Sequence, residues 1–271
     1  MTLVGPAAVL VAAVVGTGLL ALVLTATGLM PLAGQPRFSL DAFTSQAPDL
    51  LTSARESLLI SMSATTISAA VGLAVALLLV RADRLTRWLT AAAAAPVPVA
   101  HIVGAASFAL LLSDSGIARR AWGSVTTPWP ELVGGPWPVA IVAEFAWKES
   151  AFVALVITAS VAPRLQEYLE AASMLGAGAG ARLRHVTLPL AAPALYGTGV
   201  IVFLYTLGSY EVAWVLGAAY PESLPVMAYR LFGSIDVTTR PQAAAVALTT
   251  TLMALGAAAA SAPLIRRVSA R

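Results

Sequence analysis

Residues 164–190 read RLQEYLEAASMLGAGAGARLRHVTLPL, a half-polar interruption between two long apolar stretches. Leu165, Tyr168, Leu169, Ala172 and Leu175 fall at helical spacing on one face. Pro163 suits the first turn of that helix and Gly176 its C-terminal stop. A second short helix is predicted from Ala181 to Val186, ended by Leu188-Pro189. The pattern describes a compact helix-turn-helix lying on a membrane surface, with an apolar ridge able to enter a partner's groove.

The sequence on either side of this stretch places it in a membrane protein. Only 11% of the 271 residues are charged and 59% are apolar, with a mean hydropathy of +0.84, whereas soluble domains carry about 25% charged residues. A membrane span needs roughly 17 to 25 mostly apolar residues. Six stretches meet that requirement: 4–30, 57–80, 88–112, 138–162, 194–217 and 241–265. The first lacks a basic leader and is too long for a signal-peptide core, so it is expected to remain as a helix. Pro96 and Pro98 inside the third imply a kink, which neighbouring helices can accommodate. The connecting loops are short, leaving one transmembrane domain over residues 1–271, with its core at 57–265 and the surface loop at about 163–190.

Six spans put both termini on one side, and the cations decide which. Segments 81–87, 163–193 and 266–271 hold Arg81, Arg84, Arg87, Arg164, Arg182, Arg184, Arg266, Arg267 and Arg271, nine in all. The opposite set holds six: Arg37, Arg55, Arg119, Arg120, Arg230 and Arg240. By the positive-inside rule the first set, and with it the 163–190 loop and both termini, faces the cytoplasm. The pI of about 9.6 therefore reflects topology, and no nucleic-acid partner is expected.

Within the loop, Glu170, Ala171 and Ala172 are followed after three residues by Gly176, then after nine by Val186, and then by Leu188 and Pro189. This spacing resembles the hallmark of the binding-protein-dependent ABC importer permeases, Glu-Ala-Ala, three residues, Gly, nine residues, Ile, one residue, Leu-Pro, with Val186 standing for Ile. The resemblance covers about residues 57–265. It implies an all-α integral membrane fold of six transmembrane helices, with a cytoplasmic coupling helix between the fourth and fifth. It also implies that Glu170, Ala171, Ala172, Gly176, Val186, Leu188 and Pro189 couple the chain to a separate cytoplasmic ATPase. Its further implications are location in a bacterial inner membrane, a second permease subunit, identical or homologous, and an extracytoplasmic solute-binding protein. The stretch Gly217–Arg230 resembles the polyamine, ferric-iron and thiamine branch more than the sugar branch. The expected solute is accordingly a polyamine or another small cationic or metal-containing compound. A sugar or organophosphonate importer is the alternative.

Several chemistries are excluded outright. The absence of cysteine removes disulfides, thiol catalysis and Cys-ligated metals. The only lysine, Lys148, is flanked by Trp147 and Glu149, so no Gly-Lys-Ser/Thr phosphate loop exists, and ATP hydrolysis is expected on another polypeptide. Gly176, Gly178 and Gly180 do not have the dinucleotide spacing and follow no strand. His101 and His185 lie 84 residues apart on opposite faces of this topology, so no metal site or cofactor is expected. His185 beside Arg184 suits contact with anionic lipid or the ATPase. Every aspartate falls in a predicted loop, which disfavours an intramembrane enzyme, and no internal repeat signals an ion-coupled secondary transporter.

Ionisable groups inside spans are functional candidates, because each unpaired charge at the bilayer centre costs roughly 2.5 to 3.5 kcal/mol. Glu144, Lys148, Glu149 and Glu211 are the four. Glu144 and Lys148 are spaced to pair on one helix. Glu211, with Ser209 and Tyr210, lies in a polar patch of the fifth span. At about 1.5 Å per residue, Glu211 and Glu144 sit at similar depths, roughly 9 Å from the outer ends of their spans. Glu211, Tyr210, Ser209, Glu144 and Lys148 are therefore the candidates to line a translocation path.

Overall fold

The computed structural model describes residues 4–32, 34–79, 84–122 and 128–269; Arg81 and Arg271 of the topology argument lie outside them. In chain order the α-helices are α1 (Val4–Ala26), α2 (Asp41–Thr44), α3 (Ala47–Leu79), α4 (Arg84–Ala94), α5 (His101–Leu112) and α6 (Ile117–Trp122). They continue as α7 (Val139–Met174), α8 (Ala179–Arg182), α9 (Leu188–Gly208), α10 (Glu211–Leu216), α11 (Leu224–Phe232) and α12 (Arg240–Ser269). Among the described residues, five helical stretches are long and apolar enough to cross a membrane: Gly5–Ala26, Ala47–Leu79, His101–Trp122, Ala179–Gly208 and Val237–Ile265. The expected fourth span, 138–162, corresponds from Val139 onward to the 36-residue α7, whose first turns carry Glu144, Lys148 and Glu149.

Three expectations about these elements are corrected. The third span is two helices rather than one kinked helix, α4 and α5 separated by residues 95–100. Pro96 and Pro98 remove two backbone donors within three residues and push the residues before them away from helical dihedrals. Pro163 does not open a separate surface helix, because α7 runs through it to Met174. A mid-helix proline costs about 3 kcal/mol. Val161 and Leu165 on either side of it are each 2% exposed, and burying two such side chains returns about 3 to 6 kcal/mol. Nor does Leu188-Pro189 end the helix that precedes it. Residues 183–187 form a π-turn that leads from α8 straight into α9. Pro189 falls in the first turn of α9, where a missing N–H costs least.

The chain divides into two compact units. In the unit formed by Leu58–Ala218 with Gly256–Arg271, a stripe of small side chains four residues apart (Ala64, Ser68, Gly72, Ala76) runs along α3. At Gly72 a Cβ would come within 2.6 Å of the Val153 side chain. Helices α3 and α7 thus approach closely enough for backbone and small side chains to pack, as membrane helices do. Ala76, Val153, Ile157, Val161, Leu165, Ala191 and Val202 form one buried cluster joining α3, α7 and α9.

In the unit formed by Met1–Ser57 with Ala219–Leu255, Leu224, Met227 and Leu231 of α11 pack with Ala243 and Val246 of α12. The Ser57 hydroxyl accepts a 2.8 Å hydrogen bond from the Leu224 amide, satisfying one of the unpaired donors at the start of α11. Glu222 and Arg230 form a forked ion pair, with Arg230 Nε 2.9 Å and 3.2 Å from the two carboxylate oxygens.

Candidate functional site

Two regions of the unit formed by Leu58–Ala218 with Gly256–Arg271 carry the residues singled out from sequence, and both are built on α7. The first is the turn after its C-terminus. The amide of Gly176 donates to the Ser173 carbonyl at 3.0 Å and that of Ala177 to the Ala172 carbonyl at 3.0 Å. With Gly176 at φ +77°, this is the Schellman arrangement in which a glycine past the helix end satisfies the last carbonyls. The glycine stop expected from sequence is therefore real. The Gly spacing also dictates the shape of the tip, since the turn throws Met174 and Leu175 outward, each 88% exposed.

Around that tip the motif residues fall into two groups. Leu165 is buried, and Leu169 and Val186 pack against the core shared by α7 and α9. Tyr168, Glu170, Ala171, Leu188 and Pro189 are exposed, and Ala172 is half-buried. The Glu170 carboxylate accepts a 2.8 Å hydrogen bond from the Gln166 side chain one turn earlier. The loop is thus pinned from below by Leu165 and Val186, with an uncovered apolar end.

The second region is a buried charged cluster near the start of α7. Glu144 is fully buried and Lys148 is 9% exposed. They do not pair with each other as their spacing predicts. Glu144 Oε1 instead lies 3.2 Å from Nδ1 of His101, and Glu149 Oε1 lies 3.3 Å from Nε2 of the same ring. Lys148 Nζ is 3.5 Å from the Val97 carbonyl, which lies in the break between α4 and α5. The physical reason is that a broken helix exposes backbone carbonyls that nothing within the helix can satisfy. Lys148 reaches one of them, and His101, the first residue after the break, takes the carboxylates.

Both ring nitrogens face carboxylate oxygens, so both contacts are attractive only if His101, Glu144 and Glu149 hold two protons between them. The His101 ring is also enclosed by aromatic neighbours, 5.0 Å from the Tyr205 ring and 5.7 Å from that of Phe145. Gly104 completes the seat, since a Cβ there would lie 2.5 Å from Glu144 Oε1.

Of the other path candidates, Ser209 and Tyr210 form the junction between α9 and α10, and Glu211 is the exposed first residue of α10. The Tyr210 ring lies 5.7 Å from that of Trp214. Helix α10 packs against α5 and α7, and the Tyr205 phenol lies within electrostatic reach of Glu144, Glu149 and Glu211 alike. Sequence reasoning did not identify the part played by His101. The signal was present, because it is the single ionisable side chain between residues 88 and 112 and an ionisable group at such depth requires a partner.

No protein-family model matches the sequence. Over 191 residues, 68% of its length, the chain is 27% identical to the inner membrane ABC transporter permease protein YnjC of Escherichia coli K12. The match spans only 36% of that relative's own length. In fold the chain is similar to a bacterial ABC transporter involved in import of the acidic polysaccharide alginate, with a TM-score of 0.80, 17% identity, and coverage of 98% of this chain and 94% of the other. A bacterial alginate ABC transporter in complex with alginate pentasaccharide-bound periplasmic protein matches at a TM-score of 0.80 and 17% identity, over 98% of this chain and 93% of that one. An amino acid ABC transporter matches at a TM-score of 0.60 and 17% identity, over 85% of this chain and 99% of that one. The sequence likeness is thus to an inner membrane ABC transporter permease protein, and the fold is that of chains found in ABC transporters.

Proposed function

We propose that the chain is a membrane-spanning permease subunit of a bacterial ABC importer, with residues 163–190 docking onto a separate cytoplasmic ATPase. The observation that carries this reading is the loop tip. A Schellman turn at Gly176 holds Met174 and Leu175 almost fully exposed, while the same segment is anchored beneath by Leu165 and Val186. Two large apolar side chains held in solvent by a well-formed turn suit insertion into a partner's groove. The likeness to YnjC, named as a permease, supports the same assignment.

In this reading the chain performs no covalent chemistry. A second permease, identical or homologous, completes the pathway. An extracytoplasmic binding protein delivers solute to the outer face, as the periplasmic protein of the alginate transporter suggests by analogy. Closure of the ATPase pair draws the coupling loops together. We further propose a small cationic or metal-containing solute, a polyamine being the simplest case. The exposed Glu211 beside Tyr210 and Ser209 supports this reading, because it leaves an unburied carboxylate next to the Tyr205–Glu144 region.

The test is co-purification from membranes of wild type and of a Glu170→Arg, Gly176→Leu double variant. Wild type is expected to bring down an ATPase that a correctly inserted variant loses. Recovery of no ATPase with wild type would overturn the proposal. For the solute, Glu211→Gln is expected to lower uptake of a cationic compound; unchanged uptake with unchanged pH dependence removes Glu211 from the path.

A further inference from the structure

Helix α7 carries Ser160, Arg164 and Tyr168 at intervals of four, so the three line one face. Opposite them stand His185 of the π-turn and Pro189 and Pro193 of α9, again four apart. Together they bound a groove of about 600 Å³, within the roughly 300 to 1,000 Å³ range of small-molecule sites. From this geometry we infer that the groove holds the phosphate group of an anionic phospholipid, with an acyl chain lying along α9.

The polar half of the groove is built for an oxyanion. Among the described residues Arg164 has no ion-pair partner, and a guanidinium fork matches a phosphate in two-point contact. His185 Nδ1 lies 3.0 Å from the Ala181 carbonyl. A carbonyl can only accept, so Nδ1 carries the hydrogen there. Nε2 is left with no partner among the described residues, and in the protonated ring it becomes a donor to phosphate. The Tyr168 hydroxyl supplies a further donor, whereas the Ser160 hydroxyl is already donated to the Ile157 carbonyl at 2.9 Å. The π-turn is what brings His185 opposite Arg164, and such turns recur at functional sites because they rotate one residue out of the helical register. Glu167 and Glu170 occupy neighbouring positions on α7 without lining the groove, and the Glu170 carboxylate is engaged by Gln166.

The apolar half selects lipid over free phosphate. Val186, Leu190 and the two prolines continue from the cationic end into a helical stretch, Ala179–Gly208, that is long and apolar enough to cross a membrane. A headgroup seated at Arg164 therefore has its chains beside membrane-spanning helix. The inference rests on the membrane topology of the proposed function, in which this end faces the anionic cytoplasmic leaflet, and is independent of whether an ATPase docks at the tip.

The experiment is native mass spectrometry of the purified chain in mild detergent, titrated with phosphatidylglycerol or with phosphatidylcholine of the same acyl chains. Wild type is expected to retain phosphatidylglycerol about thirtyfold better, given roughly 1 kcal/mol for each of two cations near an anionic headgroup. Arg164→Gln with His185→Gln should abolish that preference. Arg164→Lys should keep most of it, and Arg55→Gln, which removes a cation elsewhere, should leave it whole. Equal retention of the two lipids by wild type, or a preference that survives the double variant, would overturn the inference. Complete displacement of phosphatidylglycerol by excess inorganic phosphate would also overturn it, leaving a free-anion site in its place. The wild-type comparison needs no variant to fold, and ATPase co-purification is read separately, so loss of one result does not carry the other with it.

Discussion

The two ends of α7 treat their side chains in opposite ways. Near its start, Glu144, Lys148 and Glu149 are buried or nearly so, and each reaches an internal partner across the α4–α5 break. At its end, Met174 and Leu175 stand 88% exposed with nothing of this chain over them. Charge is hidden and satisfied at one end, and apolar surface is displayed at the other. An interior that completes its own polar contacts is serving the fold, whereas an apolar tip left uncovered by its own chain suits the docking role proposed for it. The contrast separates residues whose loss should unfold the chain from residues whose loss should leave it intact but alone.

The largest effect is expected from Glu144→Ala. Removing one partner of a buried ion pair typically costs 3 to 5 kcal/mol, because the other charge stays buried. His101 would keep only Glu149, and thermal denaturation in detergent should show a steep loss of stability. Gly104→Ala attacks the same seat from the α5 side by placing a methyl against the Glu144 carboxylate. Overpacking of this kind costs about 1 to 3 kcal/mol, so the variant should melt between wild type and Glu144→Ala. Met174→Ser with Leu175→Ser should change the melting curve by no more than about 0.5 kcal/mol, as surface changes do, while ATPase recovery falls. A large stability loss from this pair would erase the contrast, because it would mean that the tip is covered within the chain itself.

The smallest effect concerns Asp236, outside both regions. Its carboxylate accepts from the Thr238 hydroxyl and amide at 2.7 Å and 2.9 Å, and these contacts hold its pKa below the ordinary carboxylate value. A carboxyl whose folded-state pKa is depressed contributes stability that is present above its unfolded pKa and disappears as pH falls through the folded one. Asp236→Asn should therefore differ slightly from wild type at neutral pH and converge with it in acid, as followed by melting curves at a series of pH values.

Much of this arrangement was legible before any coordinates. Apolar length located four of the five helical stretches able to cross a membrane and only the second half of the third expected span, and the spacing from Glu170 to Pro189 picked out the loop and its glycine stop. What stayed illegible was decided by long-range packing. Pro163 looks like a helix start in isolation, and only the burial of Val161 and Leu165 against α3 and α9 explains why the helix passes through it. Glu144 and Lys148 look paired because i, i+4 spacing is local information, whereas the carbonyl and imidazole that claim them sit 51 and 43 residues away. The π-turn has no local signature, so the four-residue register between α7 and α9 could not be read from the sequence.

The passage of α7 through Pro163 has a mechanical consequence. Thirty-six residues without interruption make a strut of about 54 Å, over which a tilt of about 5° displaces one end by about 5 Å relative to the other. A separate surface helix hinged at the proline would have absorbed a push at Leu175 locally. A strut instead delivers that push to the turn bearing Glu144, where His101 ties it to a helix already divided in two.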